Sequence, residues 1–455
     1  MKRGKTMLQS EYLNRLYCQM ITEDKAAHAE SAQREIRYIN GSTAKYHGRC
    51  VSTLYIPKFF TREDILIFEG LIQTLYGIFG KVTERYRQDA SYRLLFGFPA
   101  ELESLILRKP RYKSNIPIAR IDIFYNEKSK EFKFCEFNTD GSSAMNEDRE
   151  LNHGLKLTKA YQELSDKYQL QTFELFDSWA RVSLGIYGQT KGASIHPHVA
   201  IVDFMESATN NEFEVFAESY RKLGATCEIC EIRDLRYENG RLYGTGKQPV
   251  DLIYRRAVTS DIMSHFDEVK DFIQAVREDA VCLIGDFNTQ IAHNKVLYQI
   301  LHHPATQAFL TEVEKDYVKA HVPYTALMTA DYLPYEDILN NKDGWILKPL
   351  DSYGSKGVFA GVEYASKEEW KEIVDAHRIE GYLVQEFCVP YLTENIDFSK
   401  GADAEFIKVS NLTGLFVYDG IFQGIYSRVS RGKIISTQYS EIALPSVLVE
   451  GQEGK

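Results

Sequence analysis

The chain is 455 residues long and sets 64 acidic against 54 basic residues, a net charge of −10. That balance argues against nucleic acid as a main partner, because phosphate backbones select basic surfaces. The 29 tyrosines and 25 phenylalanines suit a packed globular protein rather than a disordered one, and the length suggests about three domain-sized units. The 7 cysteines are scattered and odd in number, the pattern of reduced thiols in a cytoplasmic protein. Met1-Lys-Arg-Gly-Lys5 is basic, but no apolar run follows it, and no uninterrupted apolar stretch of about eighteen residues occurs. Neither a signal peptide nor a membrane span is expected.

To about residue 90 the chain reads as mostly helical. Apolar residues from Ile65 to Phe79 recur at three- and four-residue steps, and Thr61-Arg-Glu-Asp64 has the form of a helix start. A second helix, from Glu101 to Leu107, runs toward Arg108, Lys109 and Arg111. Then come two β-type runs, Ala119–Tyr125 and Phe134–Asn138, flanking the polar turn Asn126–Lys130, which predicts a hairpin. If the turn centres on Ser129, position 122 lies opposite 136 and position 120 opposite 138. Asp122, Glu136 and Asn138 then share a face with Arg120. Two carboxylates and an amide oxygen beside a guanidinium suit Mg²⁺ that also holds nucleotide phosphates; the alternative is a solvated hairpin face with one cross-strand ion pair.

A helix is expected from about Asn152 to Tyr168. From 196 to 258 the pattern is strand, helix, strand, an Asn239-Gly240 hairpin, and a further strand ending at Arg255-Arg256, which implies a small parallel sheet. Arg255 or Arg256, at a strand end where α/β sites collect, is a candidate for a substrate carboxylate; the alternative is a surface ion pair. Cys227-Glu-Ile-Cys230 has no second pair to complete a zinc site and reads as structural thiols. The histidines organise no site, and no G-x-S-x-G elbow supports a hydrolase.

Trp345–Pro349 is an apolar strand that delivers Lys348. It runs into Asp351-Ser-Tyr-Gly-Ser-Lys-Gly357, whose glycines let the main chain approach phosphate oxygens. The loop is neither a Walker A sequence nor a dinucleotide fingerprint. Gly381–Phe387 is a further buried strand with Gln385 and Glu386 at its polar end.

Lys295 in His293-Asn-Lys-Val-Leu-Tyr298, Lys348 before the glycine loop, the Gln385-Glu386-Phe387 strand and the Asp122/Glu136/Asn138 set together resemble the ATP-grasp ligases. An ordinary ATP-grasp chain meets its magnesium ligands last; this one meets them first. That order is similar to the circularly permuted ATP-grasp of the glutathionylspermidine synthetase family, whose metal strand reads much like Arg-Phe-Asp-Phe … Glu-Tyr-Asn-Ala-Asp. The likeness covers roughly residues 90 to 455. Asn138-Thr139-Asp140 departs from the family's Asn-Ala-Asp, no amidase part with a catalytic Cys and His is expected, and the tripeptide–polyamine substrate pair is not carried over.

The resemblance implies an α/β chain with a circularly permuted ATP-grasp fold, a Rossmann-like pre-ATP-grasp domain and a helical N-terminal region. Its expected parts are residues 1–90 (helical), 91–190 (metal hairpin), 191–285 (Rossmann-like) and 286–455 (nucleotide-binding). By the same resemblance ATP and Mg²⁺ are the cofactors. Lys295 reaches the phosphates, and Lys348 sits between phosphates and adenine. Ser352, Tyr353, Gly354, Ser355, Lys356 and Gly357 close over the phosphates, while Gln385, Glu386 and Phe387 read the base through main-chain groups. Asp122, Glu136 and Asn138 hold the metal, Arg120 supports them, and Arg108 or Arg111 grips a phosphate. The activity implied is ATP-dependent joining of a small-molecule carboxylate to an amine through an acyl phosphate, with ADP and phosphate released. A small-molecule kinase and a nucleotide-binding scaffold are the alternatives. Oligomeric state is not legible.

Overall fold

A computed structural model describes residues 9–46, 48–350, 357–435 and 441–451. The Ser352–Lys356 part of the expected glycine loop lies outside these, so only Gly357 of that loop can be placed.

The N-terminal region is largely helical, with helices Ser10–Glu23, Lys25–Gly41 and Arg62–Gln88. The third begins where the sequence indicated: Thr61 and Asp64 form a reciprocal capping box that satisfies otherwise orphaned N–H groups. By length and composition this 27-residue helix could cross a membrane, contrary to the expectation that no segment could. One face of it, including Phe68, Leu71, Leu75 and Phe79, is buried in the largest apolar cluster.

That face packs on the hairpin Ile118–Tyr125 / Phe132–Asn138. Ile121, Ile123 and Tyr125 point into the same cluster with Phe134 and Phe137, and Phe68 meets Tyr125 edge-on at 4.9 Å. The hairpin joins an antiparallel sheet with Phe406–Tyr418, Ile421–Ser430 and Ile442–Leu444, and Leu392–Ile396 pairs along Phe406–Tyr418. Strands nearly 300 residues apart in sequence therefore form one sheet. A smaller sheet joins Lys58–Phe60, Tyr168–Gln171 and Ser446–Gly451.

The strand–helix pattern after residue 196 gives the expected parallel sheet, ordered Cys282–Ile284, Leu252–Arg255, His198–Asp203, Thr226–Glu231. Asn239 and Gly240 both adopt positive φ, as a tight hairpin turn with matching twist requires. The helix expected at 152–168 begins earlier and is broken into Met145–Leu155 and Lys159–Ser165, followed by the strand Tyr168–Gln171. Thr158 caps the second piece, accepting from the Tyr161 N–H, a local hydrogen bond that competes with continuous helix. A fourth sheet, ordered Thr325–Leu327, Tyr382–Glu386, Trp345–Pro349, Phe359–Ala360, is antiparallel and carries Lys348 and Gln385 on neighbouring strands.

Candidate active site

The hairpin register is the expected one at its functional end: Asp122 lies opposite Glu136 and Arg120 opposite Asn138. Beyond Asp122 a bulge shifts the pairing, so that Ile123 meets Phe134 and Cys135 has no cross-strand partner. The bulge lets two successive residues, Cys135 and Glu136, line the same cavity.

That cavity encloses about 760 Å³ of non-atom space, part of it open to solvent, between the hairpin and the Lys348 sheet. Its walls include Glu136, Lys295, Lys348, Gln385, Glu386 and Phe387, so residues from three distant parts of the chain face one space. Lys295 precedes the helix Val296–His302. Tyr298 of that helix stacks on Phe137 at 4.7 Å, and this docking brings Lys295 Nζ to 2.8 Å from Glu136 Oε1. Burial pushes the Glu136 carboxyl up, but the nearby Lys295, with its hydrogen bond, and His293 and Lys348 outweigh it and hold the pKa at about 2. Glu136 is a carboxylate at neutral pH.

Across the cavity Lys348 Nζ donates to Gln385 Oε1 at 2.7 Å, and Gln385 Nε2 donates to Thr325 Oγ1 at 2.9 Å. The amide thereby fixes the ammonium toward the cavity. Gly357 has φ +73°, and a Cβ there would come within 2.7 Å of the Tyr382 hydroxyl, so only glycine suits the position. The main-chain reading of a base needs adjustment. Gln385 and Glu386 lie on a central strand, and the N–H groups of Glu386 and Phe387 already donate to Tyr324 and Gly344 carbonyls at 2.8 Å each. The Glu386 carbonyl accepts from the Cys388 thiol at 3.9 Å.

Asp122 differs from its partner across the hairpin. Arg120 donates to both of its oxygens at 2.9 and 3.2 Å, Asn138 Nδ2 donates at 2.9 Å, and Arg428 Nη2 donates from the sheet's interior. Gly414, opposite Asp122, leaves the room this cluster fills: a Cβ there would lie 2.8 Å from Asp122 Oδ1 and 2.9 Å from Arg120 Cδ. Mg²⁺ needs uncommitted oxygens. Among the described residues no group of three or more His, Cys, Asp or Glu could hold a metal ion. Asp122 does not fit the ligand role expected of it, because two guanidiniums and an amide occupy its carboxylate. Glu136 and Asn138 do fit: one is an ionised carboxylate on the cavity, and the other keeps its amide oxygen free of hydrogen bonds among the described residues.

Four further arginines expected at the site are engaged elsewhere. Arg255 is fully buried, 2.7 Å from Asp140, and it donates to the Gly285 and Ala257 carbonyls. Arg256 is spent on Glu212 at 2.9 Å, the Tyr254 hydroxyl and the Ser142 carbonyl. Arg108 pairs with Asp286, and Arg111 with Asp279. These guanidiniums tie the parallel sheet to the hairpin's exit and to the preceding helix; none lines the nucleotide-sized cavity.

Arg428 and Lys433 were missed by sequence reasoning. Arg428 is 8 % exposed within the strand Ile421–Ser430, and its only sequence signal is a charge inside an otherwise uncharged β-run. Lys433 lines the cavity from the turn that follows the same strand. Burial pushes the Cys227 and Cys230 thiols up to about 12, which keeps them protonated at neutral pH.

Searches against family models and against curated proteins return no match. Solved structures do match. A glutathione synthetase-like effector from Globodera pallida, in apo form, is 10 % identical, covers 92 % of this chain and 96 % of its own, and superposes with a TM-score of 0.56. A protein assigned as a γ-glutamylcysteine synthetase from Methylobacillus flagellatus KT is 11 % identical over 86 % of this chain and 90 % of its own, at a TM-score of 0.41. D-alanyl-alanine synthetase A from Vibrio cholerae is 9 % identical over 56 % of this chain and 89 % of its own, at 0.28. The last two overlap too loosely to carry an argument. The chain thus shares the fold of the nematode protein across nearly its whole length, and at 10 % identity that likeness shows the fold alone.

Proposed function

We propose that the protein is an ATP-dependent carboxylate–amine ligase, with ATP in the cavity between Glu136/Lys295 and Lys348/Gln385. The observation that carries this reading is the convergence on one cavity of the two lysines, the carboxylate and the polar strand end that the ATP-grasp resemblance picks out. Lys295 and Lys348 would neutralise phosphate charge, and the apolar wall of Ile346, Val358 and Leu412 would take the purine. Glu136 and Asn138 would hold Mg²⁺, which supplies positive charge at the phosphates when bound. The substrate carboxylate would attack the γ-phosphorus, giving an acyl phosphate and ADP. An amine would then displace phosphate to form an amide. Arg120 and Arg428, held on Asp122, bring two guanidiniums beside the hairpin face, where negative charge grows as the phosphoryl group transfers. A circular permutation of the glutathionylspermidine synthetase kind belongs to the same proposal: it rests on the metal-strand hairpin preceding both lysines in the chain while sharing their cavity.

A second reading, nucleotide binding without turnover, is favoured by one observation: Asp122 is closed by its own arginines. Hydroxylamine decides between them. Incubation with ATP, Mg²⁺ and a panel of amino acids and small carboxylates, with hydroxylamine as the trapping amine, should yield a hydroxamate and one ADP per hydroxamate. Phosphorylated product that resists hydroxylamine would mean a kinase, and no ADP with any carboxylate would mean a binder.

A further inference from the structure

A second cavity opens at the start of the helices Met145–Leu155 and Asn210–Lys222, beneath the short ribbon Lys45–Tyr46 / Arg49–Cys50. It contains about 1020 Å³ of non-atom space, part of it open to solvent, and its lining includes Lys45, Asn146, Glu147, Glu206, Thr209 and Glu212. The three carboxylates differ in what they hold. Glu206 pairs with the Arg233 guanidinium at 2.5 Å. Glu212 accepts the Met145 and Asn146 N–H groups at 2.8 and 3.2 Å and Arg256 at 2.9 Å. Glu147 is 6 % exposed, and no other residue gives its side chain a hydrogen bond or ion pair among the described residues. The Thr209 hydroxyl on the same wall is also buried without a partner among the described residues.

A buried carboxyl facing a cavity without a partner costs free energy that a bound ligand can recover. Burial and the Glu212 charge push Glu147 up to about 8, against the pull of Arg120 and Arg256. The turn in front of Glu147 is strained as well: Ala144, a residue with a Cβ, is held at φ +84°, a conformation that recurs at ligand sites. Arg120, which grips Asp122, also donates to the Ser143 carbonyl at 3.0 Å.

We propose that this second cavity takes the amine co-substrate as a primary ammonium, held by the Thr209 hydroxyl and by Glu147, which releases its proton to solvent as the cation binds. The proposal rests on the ligase reading for its role in turnover, but the site itself can be tested without nucleotide. The experiment is calorimetric titration of the full chain with butylamine, its neutral analogue 1-butanol and its anionic counterpart butyrate. Butylamine should bind, and the other two should bind at least tenfold more weakly. Glu147→Gln should weaken butylamine at least tenfold. Ser207→Trp, at the exposed mouth of the cavity, should do the same, which keeps the test decisive if the buried variant does not fold. Equal butylamine affinity in wild type and Ser207→Trp, a preference for butyrate, or no butylamine binding to wild type would overturn the site. Selective butylamine binding with no ADP release from any carboxylate would instead sink the ligase reading and leave the cation site standing.

Discussion

Asp122 and Glu136 face each other across one hairpin, yet they hold opposite kinds of partner: Asp122 is locked between the guanidiniums of Arg120 and Arg428, while Glu136 meets the single ammonium of Lys295 at the cavity wall. Residues that look equivalent by alternation therefore do different work. Asp122 keeps two buried arginines in place, and Glu136 faces the cavity.

This difference predicts distinct variants. Glu136→Gln keeps the shape and removes the charge, so ATP affinity should stay near wild type while the rate falls by roughly two or more orders of magnitude, a loss of about 3 kcal/mol in the transition state. ADP release measured beside calorimetric ATP titration checks it. A near-normal rate would remove Glu136 from the chemistry.

Asp122→Asn should behave otherwise. It leaves Arg120 buried without its counter-charge and Arg428 with the more distant Glu441 at 3.5 Å, and breaking a buried pair typically costs about 3–5 kcal/mol. Urea unfolding of Asp122→Asn beside wild type should show that loss. Wild-type stability of Asp122→Asn would mean that Asp122 is free to act as a metal ligand after all.

The two carboxylates were legible in the sequence as a pair on one hairpin, but their facing register is set by the bulge at Cys135: the turn-side pairing of Ile123 with Phe134 would by itself put Asp122 opposite Cys135. Their partners were not legible. Arg428 lies 306 positions from Asp122, and nothing local announces a pairing made by sheet order. The same limit explains Arg255 and Arg256. A strand end in an α/β sheet is a fair place to look for a ligand, but the segment around Asp140 and Ser142 folds over these side chains and consumes them. The capping box at Thr61, the Asn239-Gly240 turn and the Lys348 strand were readable because each is decided within a few residues. The bulge at Cys135, which turns Glu136's neighbour into the cavity, was not, since one extra residue leaves no compositional trace.

Acid stability should carry the Glu136 signature. Its folded pKa of about 2 lies below the ordinary carboxylate value of 4.5, so its contribution is present above about 4.5 and is lost as pH falls toward 2. The difference in urea midpoint between wild type and Glu136→Gln should be constant from pH 8 to about 5 and shrink below that. A difference that grew on acidification would contradict the Lys295 pairing.

Glu35 has the opposite sign. It is 2 % exposed, one of its oxygens lacks a partner among the described residues, and burial pushes it up to about 8. A raised folded pKa makes stability greatest below about 4.5 and erodes it as pH rises toward 8. Glu35→Gln should therefore flatten that slope and stabilise the protein at pH 8 by a few kcal/mol, on the order of the shift itself. Thermal unfolding across pH reads this directly. An unchanged slope would place the titration elsewhere.

The most direct test of the nucleotide cavity is ATP affinity in Lys348→Met. Lys348 is fixed toward the cavity by Gln385, which Thr325 orients in turn, so its charge should act on bound ATP before any chemistry occurs. Calorimetric titration should show ATP binding to the wild type and at least tenfold weaker binding to Lys348→Met, about 1.4 kcal/mol or more, with the unfolding midpoint little changed. Equal ATP affinity in the two proteins, or no ATP binding to wild type, would contradict the assignment of this cavity to ATP.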